Sequence, residues 1–307
     1  MAAPENYNAP MRVGIPRALL YFRYGRFWEK YLSGLGAEVV VSRKTDKALV
    51  QRGLGYVSSE VCLPVKIVAG HIAALRDKVD ALWLPRMVWL EDELYACPKM
   101  IGICDIARMM LGDKVRLIAP SIKGNFMRAH FRAGLEINSN PFRVARALSQ
   151  ARQHLAFPDA APDFAAGEKR VALIGHFYNV EDDFVGAAIR ATFQEHGYRI
   201  CLKDELPDSI LRNREDFSRR IRWVYERELY NAFRFMVDKV DGVCVLVSMG
   251  CGPDSLVAEF MREEAKQKGV PFLQLVLDEH TGTAGLVTRV EAFVELAERR
   301  RLAQQAA

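Results

Sequence analysis

Short apolar runs alternate with longer amphipathic stretches along this chain. The runs are rich in Val, Ile and Leu and short enough for buried strands, and the stretches between them carry apolar residues at the three- and four-residue spacings of helices. We predict strands at residues 11–15, 37–41, 80–84, 115–119, 170–174, 198–202, 243–247 and 272–277. Because strands that alternate with helices form parallel sheets, the pattern predicts an α/β fold with functional loops at the carboxyl ends of the strands.

Two stretches between these strands have predictions of their own. Residues 85–96 lack a clear period and are predicted to form a loop, whereas residues 214–239 have the period of a long helix. The basic segment at residues 212–227 interleaves acidic and basic side chains. We interpret it as the solvated face of that helix, with a docking surface for a protein partner as the alternative.

A segment without periodicity divides the pattern in two. Residues 158–168, PDAAPDFAAGE, have the Pro, Ala and Gly content of a linker, and 307 residues with 50% hydrophobic content suffice for two cores. We therefore predict two α/β domains with parallel sheets. The predicted division is a disordered N-terminus at 1–10, a first domain at 11–157, a linker at 158–168, a second domain at 169–301 and a tail at 302–307.

Charge and hydropathy narrow the class of protein. A net charge of +5 is too small to indicate nucleic-acid binding by itself, and no apolar run approaches the length of a membrane span. The N-terminal MAAPENYNAP has neither the basic nor the apolar region of a secretory signal. We expect a cytoplasmic protein without nucleic-acid or membrane partners, in which reduced cysteines indicate metal binding or catalysis rather than disulfides.

Three of the six cysteines share one local pattern, in which a Pro follows within two positions and a helix then begins. They are Cys62, Cys97 and Cys251, followed by Pro64, Pro98 and Pro253. Pro suits the first helical turn, and a helix N-terminus stabilises a thiolate. We predict that these cysteines form one constellation in a cleft between the two domains, since Cys251 belongs to the second. The alternative is three separately buried thiols.

The other three cysteines have a different setting. Cys104 lies within a predicted helix, and Cys201 and Cys244 lie within predicted strands. We expect them to be small core residues.

Three thiolates at helix starts suit a soft metal centre. Their wide separation in sequence is unlike the close pairs of zinc sites and the tight cysteine runs of ferredoxins. A 4Fe-4S cluster held by three cysteines would leave one iron open to a substrate or solvent. We expect one such cluster per chain in a homodimeric protein.

Polar residues and glycines near the three cysteines are candidates for contacts with the cofactor. They are Glu60, Lys66, Lys99, Ser248, Gly250 and Gly252, for which surface, capping or turn roles are the alternatives. Glu279 and His280 follow a predicted strand at the same sheet edge as Cys251 and are candidate acid/base residues. The alternative for His280 is a structural role.

Several segments carry a resemblance to a known family. VGIPRALLYFRYGRFW, VSSEVCLPVKIVAGH, YACPKMIG, SMGCGPDSLV and LDEHTGTAGLVTRVEAF resemble segments of the activase-related family allied to 2-hydroxyacyl-CoA dehydratases and double-cubane iron–sulfur proteins. The resemblance covers about residues 11–293. It implies Rossmann-like domains with an iron–sulfur cluster between them, ligation by Cys62, Cys97 and Cys251, and a separate ATPase that delivers low-potential electrons. A double cubane like that of the related proteins would need about six thiolates, so with three suitable cysteines per chain it would form only across a homodimer, and we expect it less than separate clusters.

The chain departs from this family in two ways. It lacks a Gly-rich phosphate loop of the Walker type, and residues 175–179 read GHFYN where an Arg-Pro pair is expected before Tyr-Asn. The resulting hypothesis is a low-potential reductase or electron-transfer component with an unidentified small-molecule substrate. The alternative is a non-catalytic carrier or scaffold for a cluster.

Overall fold

The computed structural model describes residues 9–91, 94–155, 158–164, 167–214 and 216–305. Most of the N-terminus predicted to be disordered, residues 1–8, lies outside these ranges. The described residues of the predicted linker, 158–164 and 167–168, are in neither helix nor strand. The C-terminal helix extends to Gln305, so residues 302–305 continue it and do not form the separate tail that we predicted.

Residues 12–151 form seven strands and six helices. In chain order they are β1 (Arg12–Ile15), α1 (Tyr21–Leu35), β2 (Glu38–Val41), α2 (Lys47–Leu54), α3 (Leu63–Leu75), β3 (Ala81–Trp83), β4 (Arg86–Glu91), β5 (Leu94–Tyr95), α4 (Pro98–Leu111), β6 (Arg116–Ile118), β7 (Ser121–Lys123), α5 (Phe126–Gly134) and α6 (Pro141–Ala151).

Residues 170–305 form four strands and six helices. They are β8 (Arg170–Ile174), α7 (Phe177–Val180), α8 (Ala187–Glu195), β9 (Arg199–Leu202), α9 (Asp208–Leu211), α10 (Val224–Met236), β10 (Gly242–Ser248), α11 (Gly252–Gln267), β11 (Phe272–Leu277) and α12 (Thr283–Gln305).

Two four-stranded sheets organise the described chain. One has the strand order β2-β1-β3-β6 and the other the order β11-β10-β8-β9, and every neighbouring pair in both is parallel. The α/β fold with parallel sheets is confirmed, and the arrangement is compatible with Rossmann-like domains. The longest parallel pairing joins β10 to β11, with Val243 beside Phe272 and Ser248 beside Leu277.

A third sheet corrects the loop predicted at residues 85–96. Its order is β5-β4-β7, with β4 antiparallel to β5 and parallel to β7. Both pairings contain register shifts, and five of the six β4 residues are partly exposed, the exception being the buried Met87. Short irregular strands with mixed exposure do not show the two-residue alternation that identifies a strand from sequence.

The long helix predicted at 214–239 is also wrong in its first part. The helix α10 begins at Val224, and residues 216–220 form a short 3-10 turn instead. Arg227 is buried, and its guanidinium donates to the carbonyl oxygen of Ile221 at 2.6 Å. The interpretation of residues 212–227 as a solvated helix face is therefore wrong, because Arg227 folds back to satisfy the irregular segment before α10.

Local signals explain several element ends. The Asp46 carboxylate accepts the Leu49 N–H at the start of α2, and the Asn140 side chain accepts two N–H groups at the start of α6. Such caps satisfy helix donors that have no intrahelical partner. The helix α1 ends at Gly36, whose φ of 93° favours glycine.

Buried apolar residues form two clusters. The larger contains side chains from both parallel sheets, among them Val13, Leu82, Leu173 and Leu275. The smaller packs on the second sheet, around Val243. Cys104, Cys201 and Cys244 are fully buried within α4, β9 and β10, as predicted. Among the described helices, we find none with the length and apolar character needed to cross a membrane.

Candidate metal centre

Each of the three predicted ligand cysteines immediately precedes a helix. Cys62, Cys97 and Cys251 are the N-cap residues of α3, α4 and α11, and each helix has Pro in its first turn. Their backbones are extended, as is usual at an N-cap. Only Cys251 follows a strand of a parallel sheet, because α2 precedes Cys62 and the antiparallel strand β5 precedes Cys97.

The three cysteine segments meet at Gly250. Its carbonyl oxygen accepts the Lys99 ammonium at 2.8 Å, which joins the Cys97 helix to the residue before Cys251. A Cβ at Gly250 would lie 3.1 Å from the Glu60 carbonyl oxygen and 3.6 Å from the Cys62 nitrogen. Because the φ angle at this position is 76°, glycine is strongly favoured over residues that carry a side chain. The described chain thus brings all three cysteine segments together.

Burial dominates the electrostatics of the three thiols. It raises the pKa of Cys97 to about 11 and raises the pKa values of Cys62 and Cys251 as well. The N–H groups of Val65, Met100 and Asp254 face the three sulfurs and oppose this effect. None of these contacts has the geometry of a full side-chain capping hydrogen bond.

The thiols also influence one another electrostatically. The charge of Cys62 contributes to the raised pKa values of both Cys97 and Cys251. Asp254 raises the pKa of Cys251, and Glu226 raises those of Cys97 and Cys251. These thiols therefore share one electrostatic environment, which is consistent with their meeting at Gly250.

The candidate residues Lys66 and Glu279 contact each other. The Lys66 ammonium donates to the Glu279 carboxylate at 2.6 Å, and both side chains are largely buried. Burial by itself would raise the pKa of Glu279, but the hydrogen bond and charge of Lys66 outweigh it and lower that pKa below its usual value. His280 is beside them with a side chain 79% exposed. This ion pair links the Cys62 helix to the loop after β11.

The remaining candidates have separate positions. Ser248 is buried and exchanges hydrogen bonds with Asn179. Glu60 is exposed and contributes its backbone carbonyl to the contact with Gly250. Gly252 begins α11, and a Cβ there would meet nothing within 4 Å in the described chain, so space does not require glycine at that position.

A buried cluster that the sequence analysis missed lies next to Cys251. His176 donates to Asp254 at 2.6 Å and lies 3.8 Å from a Glu226 carboxylate oxygen. Tyr178 stacks on the His176 ring with centroids 4.8 Å apart. The signal was present in the GHFYN segment after a buried strand, but its departure from the expected Arg-Pro pair obscured the role of His176.

The pKa values in this cluster are coupled to its charges. Burial disfavours a charged His176, but Asp254 and Glu226 outweigh burial and raise the His176 pKa. Burial and Asp254 raise the Glu226 pKa to about 7, against the opposing effect of His176. One ligand atom from each of these three residues lies within 4.8 Å of the others, so the set is also a candidate nitrogen and oxygen metal site.

The donor chemistry around Gly250 fits the iron–sulfur cluster that the resemblance implies. Three thiols supply soft ligands, and backbone N–H groups face their sulfurs, as donors to cluster sulfur commonly do. The nitrogen and oxygen atoms of His176, Glu226 and Asp254 are harder ligands and suit other ions. Cys62, Cys97 and Cys251 are therefore the residues that could hold a cluster.

Comparison with known families agrees with these observations. Residues 12–206, more than half of the chain, match the family model described as the CoA enzyme activase uncharacterised domain. The chain belongs to this family. Residues 234–296 of this family member also match the 2-hydroxyglutaryl-CoA dehydratase D-component, a segment that includes β10, Cys251 and α11. The predicted relation to an activase-related, dehydratase-allied family is confirmed.

Comparisons with individual proteins give no information on the function of this chain. No protein of curated function matches it significantly. A LacI family transcriptional regulator from Arthrobacter sp. FB24 is 14% identical, with 94% of this chain and 90% of that chain covered and a TM-score of 0.23. The glycosyltransferase SnogD from Streptomyces nogalater is 13% identical, with 97% and 100% covered and a TM-score of 0.23. These low scores carry no argument about function.

Proposed function

We propose that this protein binds one 4Fe-4S cluster through Cys62, Cys97 and Cys251 and acts as a low-potential reductase or electron-transfer component. The observation that carries the proposal is the meeting of three cysteine-capped helix starts at Gly250, two from the first parallel-sheet region and one from the second. Membership of a dehydratase-allied family supports this proposal. A bound cluster would supply one-electron chemistry.

The chain's own residues would hold the three segments in place. Lys99 binds the carbonyl oxygen of Gly250, and Lys66 binds Glu279 across the same region. Neither lysine needs to contact a cofactor to have an effect, because each fixes the segment that carries a cysteine. Glu279 and His280 remain our proposed acid/base residues, and of the two only His280 is freely exposed.

Buried acidic groups suit a low reduction potential. Asp254 is buried, and its negative charge acts on the Cys251 sulfur. Glu226 is also buried and acts on Cys97 and Cys251 in its ionised form, which is about half of its population at pH 7 because its pKa is raised to about 7. Adding an electron makes a cluster more negative, which nearby carboxylates oppose. We therefore expect reduction to require a strong donor, in keeping with an ATP-hydrolysing partner that supplies low-potential electrons.

The proposal includes a set of partners and a location. We propose a separate activating ATPase, a homodimer, a small-molecule substrate and a cytoplasmic location. We also propose that residues 11–157 and 169–301 are separate domains with the cysteines in the cleft between them. The shared double cubane is the less favoured form of the cofactor.

Iron analysis of anaerobically reconstituted protein tests the ligand assignment. The parent chain should bind about four iron atoms with matching sulfide, and Cys62→Ala, Cys97→Ala and Cys251→Ala should each lose most of them. Cys201→Ala and Cys244→Ala are matched controls, because both cysteines are buried in strands of the second sheet. Full iron retention by Cys251→Ala would show that the assignment is wrong.

A second measurement tests the electron source. The purified chain, with or without iron, should not hydrolyse ATP. Reduction of its cluster by an added electron donor such as dithionite should depend on ATP only when an activating ATPase is also added. Cluster-dependent ATP hydrolysis by the chain alone would contradict this part of the proposal.

A further inference from the structure

The segment after β8 forms side-chain hydrogen bonds with two residues near Cys251. His176 precedes the single helical turn α7, which contains Asn179, and both side chains are buried. The Asn179 side-chain nitrogen donates to the Ser248 hydroxyl at 2.9 Å, and that hydroxyl lies 3.2 Å from the Asn179 oxygen. His176 donates to the Asp254 carboxylate at 2.6 Å. Both contacts join residues far apart in sequence.

The two residues that accept these hydrogen bonds lie at equal distances in sequence on either side of Cys251. Ser248 lies three residues before it and Asp254 three residues after it. The Cys251 N–H donates to the Ser248 carbonyl oxygen at 2.9 Å, and the Asp254 N–H faces the Cys251 sulfur. Ser248 and Asp254 therefore each contact Cys251 through their own backbone atoms.

We propose that His176 and Asn179 are positioning residues that fix the direction of the Cys251 sulfur toward the segments of Cys62 and Cys97. This inference rests on the proposed cluster-binding function and assigns a role to the GHFYN segment. Replacing a residue that hydrogen-bonds to a metal ligand without touching the metal commonly weakens metal binding about 10- to 100-fold. A role in general packing alone would not affect Cys251 more than Cys97.

The decisive variant replaces both members of one contact. Asn179→Leu combined with Ser248→Ala removes the hydrogen bonds and leaves no buried polar partner behind, so the chain should still fold. The variant His176→Phe provides a second test, because it keeps a ring beside Tyr178 and removes the donor to Asp254. His130→Phe is its control, since His130 is equally buried but accepts the Trp28 indole N–H in the first sheet region.

Two measurements are made on each variant. The first is the alkylation rate of each cysteine in iron-free protein, followed by peptide mass spectrometry, with Cys97 as the internal reference. The second is the rate at which a chelator removes iron from loaded protein. In the Asn179→Leu/Ser248→Ala variant we expect Cys251 alkylation and iron release each to be about tenfold faster, with Cys97 alkylation unchanged.

The outcomes separate this inference from the proposed function. Faster alkylation of Cys251 alone in either folded variant supports the positioning role, even if the parent chain binds no iron and the proposed function fails. Unchanged alkylation of Cys251 in both variants overturns the positioning role, even if the parent chain binds its cluster. Equal changes in Cys251 alkylation in His176→Phe and His130→Phe would also overturn it.

Discussion

At the scale of single residues, a buried carboxylate in α10 binds two cations. The Glu228 carboxylate is fully buried and accepts hydrogen bonds from Arg23 at 2.7 Å and from Lys203 at 3.3 Å. Burial alone would raise the Glu228 pKa, but the two cations lower it to about 2. The pair with Arg23 joins positions 205 residues apart. Glu228 therefore ties α1 to α10.

We predict that Glu228→Gln destabilises the chain by about 3 kcal/mol at pH 7, because it removes the buried charge that faces Arg23 and leaves Lys203 with Asp204 alone of its two carboxylates. The folded-state pKa of about 2 lies below the ordinary value of 4.5. The carboxylate therefore contributes its full stability above pH 4.5 and loses that contribution as the pH falls through 2. Urea unfolding at several pH values should show the difference between parent and variant shrinking across this range.

The control for this prediction is Glu195→Gln, which replaces an exposed carboxylate. It should change the free energy of unfolding by about 0.5 kcal/mol or less at every pH. A Glu228→Gln deficit that stays constant from neutral to acidic pH would contradict the assigned pKa.

The cysteines show how far residue-level prediction reaches. Pro two positions or fewer after Cys62, Cys97 and Cys251 correctly indicated helix starts, because that signal is local. The partners of Lys66 and Lys99 were not visible, because Glu279 and Gly250 lie more than 150 residues away along the chain. Contacts at such separation depend on how the sheets pack together, which no local pattern contains.

At the scale of elements, the Cys62 helix depends on one close helix pair. Gly53 of α2 and Gly70 of α3 face the opposite backbone. A Cβ at Gly53 would lie 2.0 Å from the Lys66 carbonyl oxygen, and one at Gly70 would lie 2.2 Å from the Leu49 carbonyl oxygen. Two backbones can approach this closely only where glycine removes the side chain.

We predict that Gly53→Ala and Gly70→Ala each destabilise the chain by about 2 kcal/mol, because the methyl group would push α2 and α3 apart. The displacement would also move Cys62 at the start of α3. Thermal unfolding measures the first effect, and alkylation of Cys62 in iron-free protein measures the second.

The matched control is Gly102→Ala in α4. A Cβ at Gly102 meets nothing within 4 Å in the described chain, so Ala should stabilise this helix by up to about 1 kcal/mol. Equal destabilisation by Gly102→Ala and Gly53→Ala would contradict the role of close backbone contact.

Strong periodicity separated the elements that were predicted from those that were missed. The strand β11 was predicted at its observed bounds, Phe272–Leu277, because five of its six residues are apolar. The strand β4 was missed because it is largely half-exposed and has a charged residue at each end, and β5 because it has only two residues. The prediction of a helix before Val224 was wrong because the spacing of apolar residues there also fits an irregular turn. That turn packs around the buried Arg227.

At the scale of the whole molecule, a buried polar chain crosses between the two sheet regions. The Arg17 N–H donates to the Ser42 hydroxyl, and that hydroxyl lies 2.7 Å from Nδ1 of His71. Nε2 of His71 lies 3.0 Å from the Thr45 hydroxyl, which donates to Asp182 at 2.5 Å. Burial lowers the His71 pKa to about 3, so the ring is neutral at physiological pH. A proton on Nε2 satisfies every contact in this chain.

We predict that the described sheets unfold together in one cooperative transition, because one apolar cluster contains residues of both and polar chains such as this one connect them. Thr45→Val should lower the midpoint temperature, Tm, and leave a single transition. It leaves His71 and Asp182 with unsatisfied buried groups, which costs about 2 kcal/mol and lowers the Tm of a single transition of this length by roughly 3 °C.

Calorimetry of the full chain, compared with circular dichroism and tryptophan fluorescence, measures both parts of this prediction. The control is Thr192→Val, since the buried Thr192 hydroxyl donates only within α8, to the Ala188 carbonyl oxygen at 2.9 Å. That change should lower Tm by about 1 °C or less, because it frees no buried group of another element. Two resolved transitions in the parent chain would mean that the sheet regions are energetically independent. The three cysteines would then depend on a bound cofactor, rather than on this interface, to bring them together.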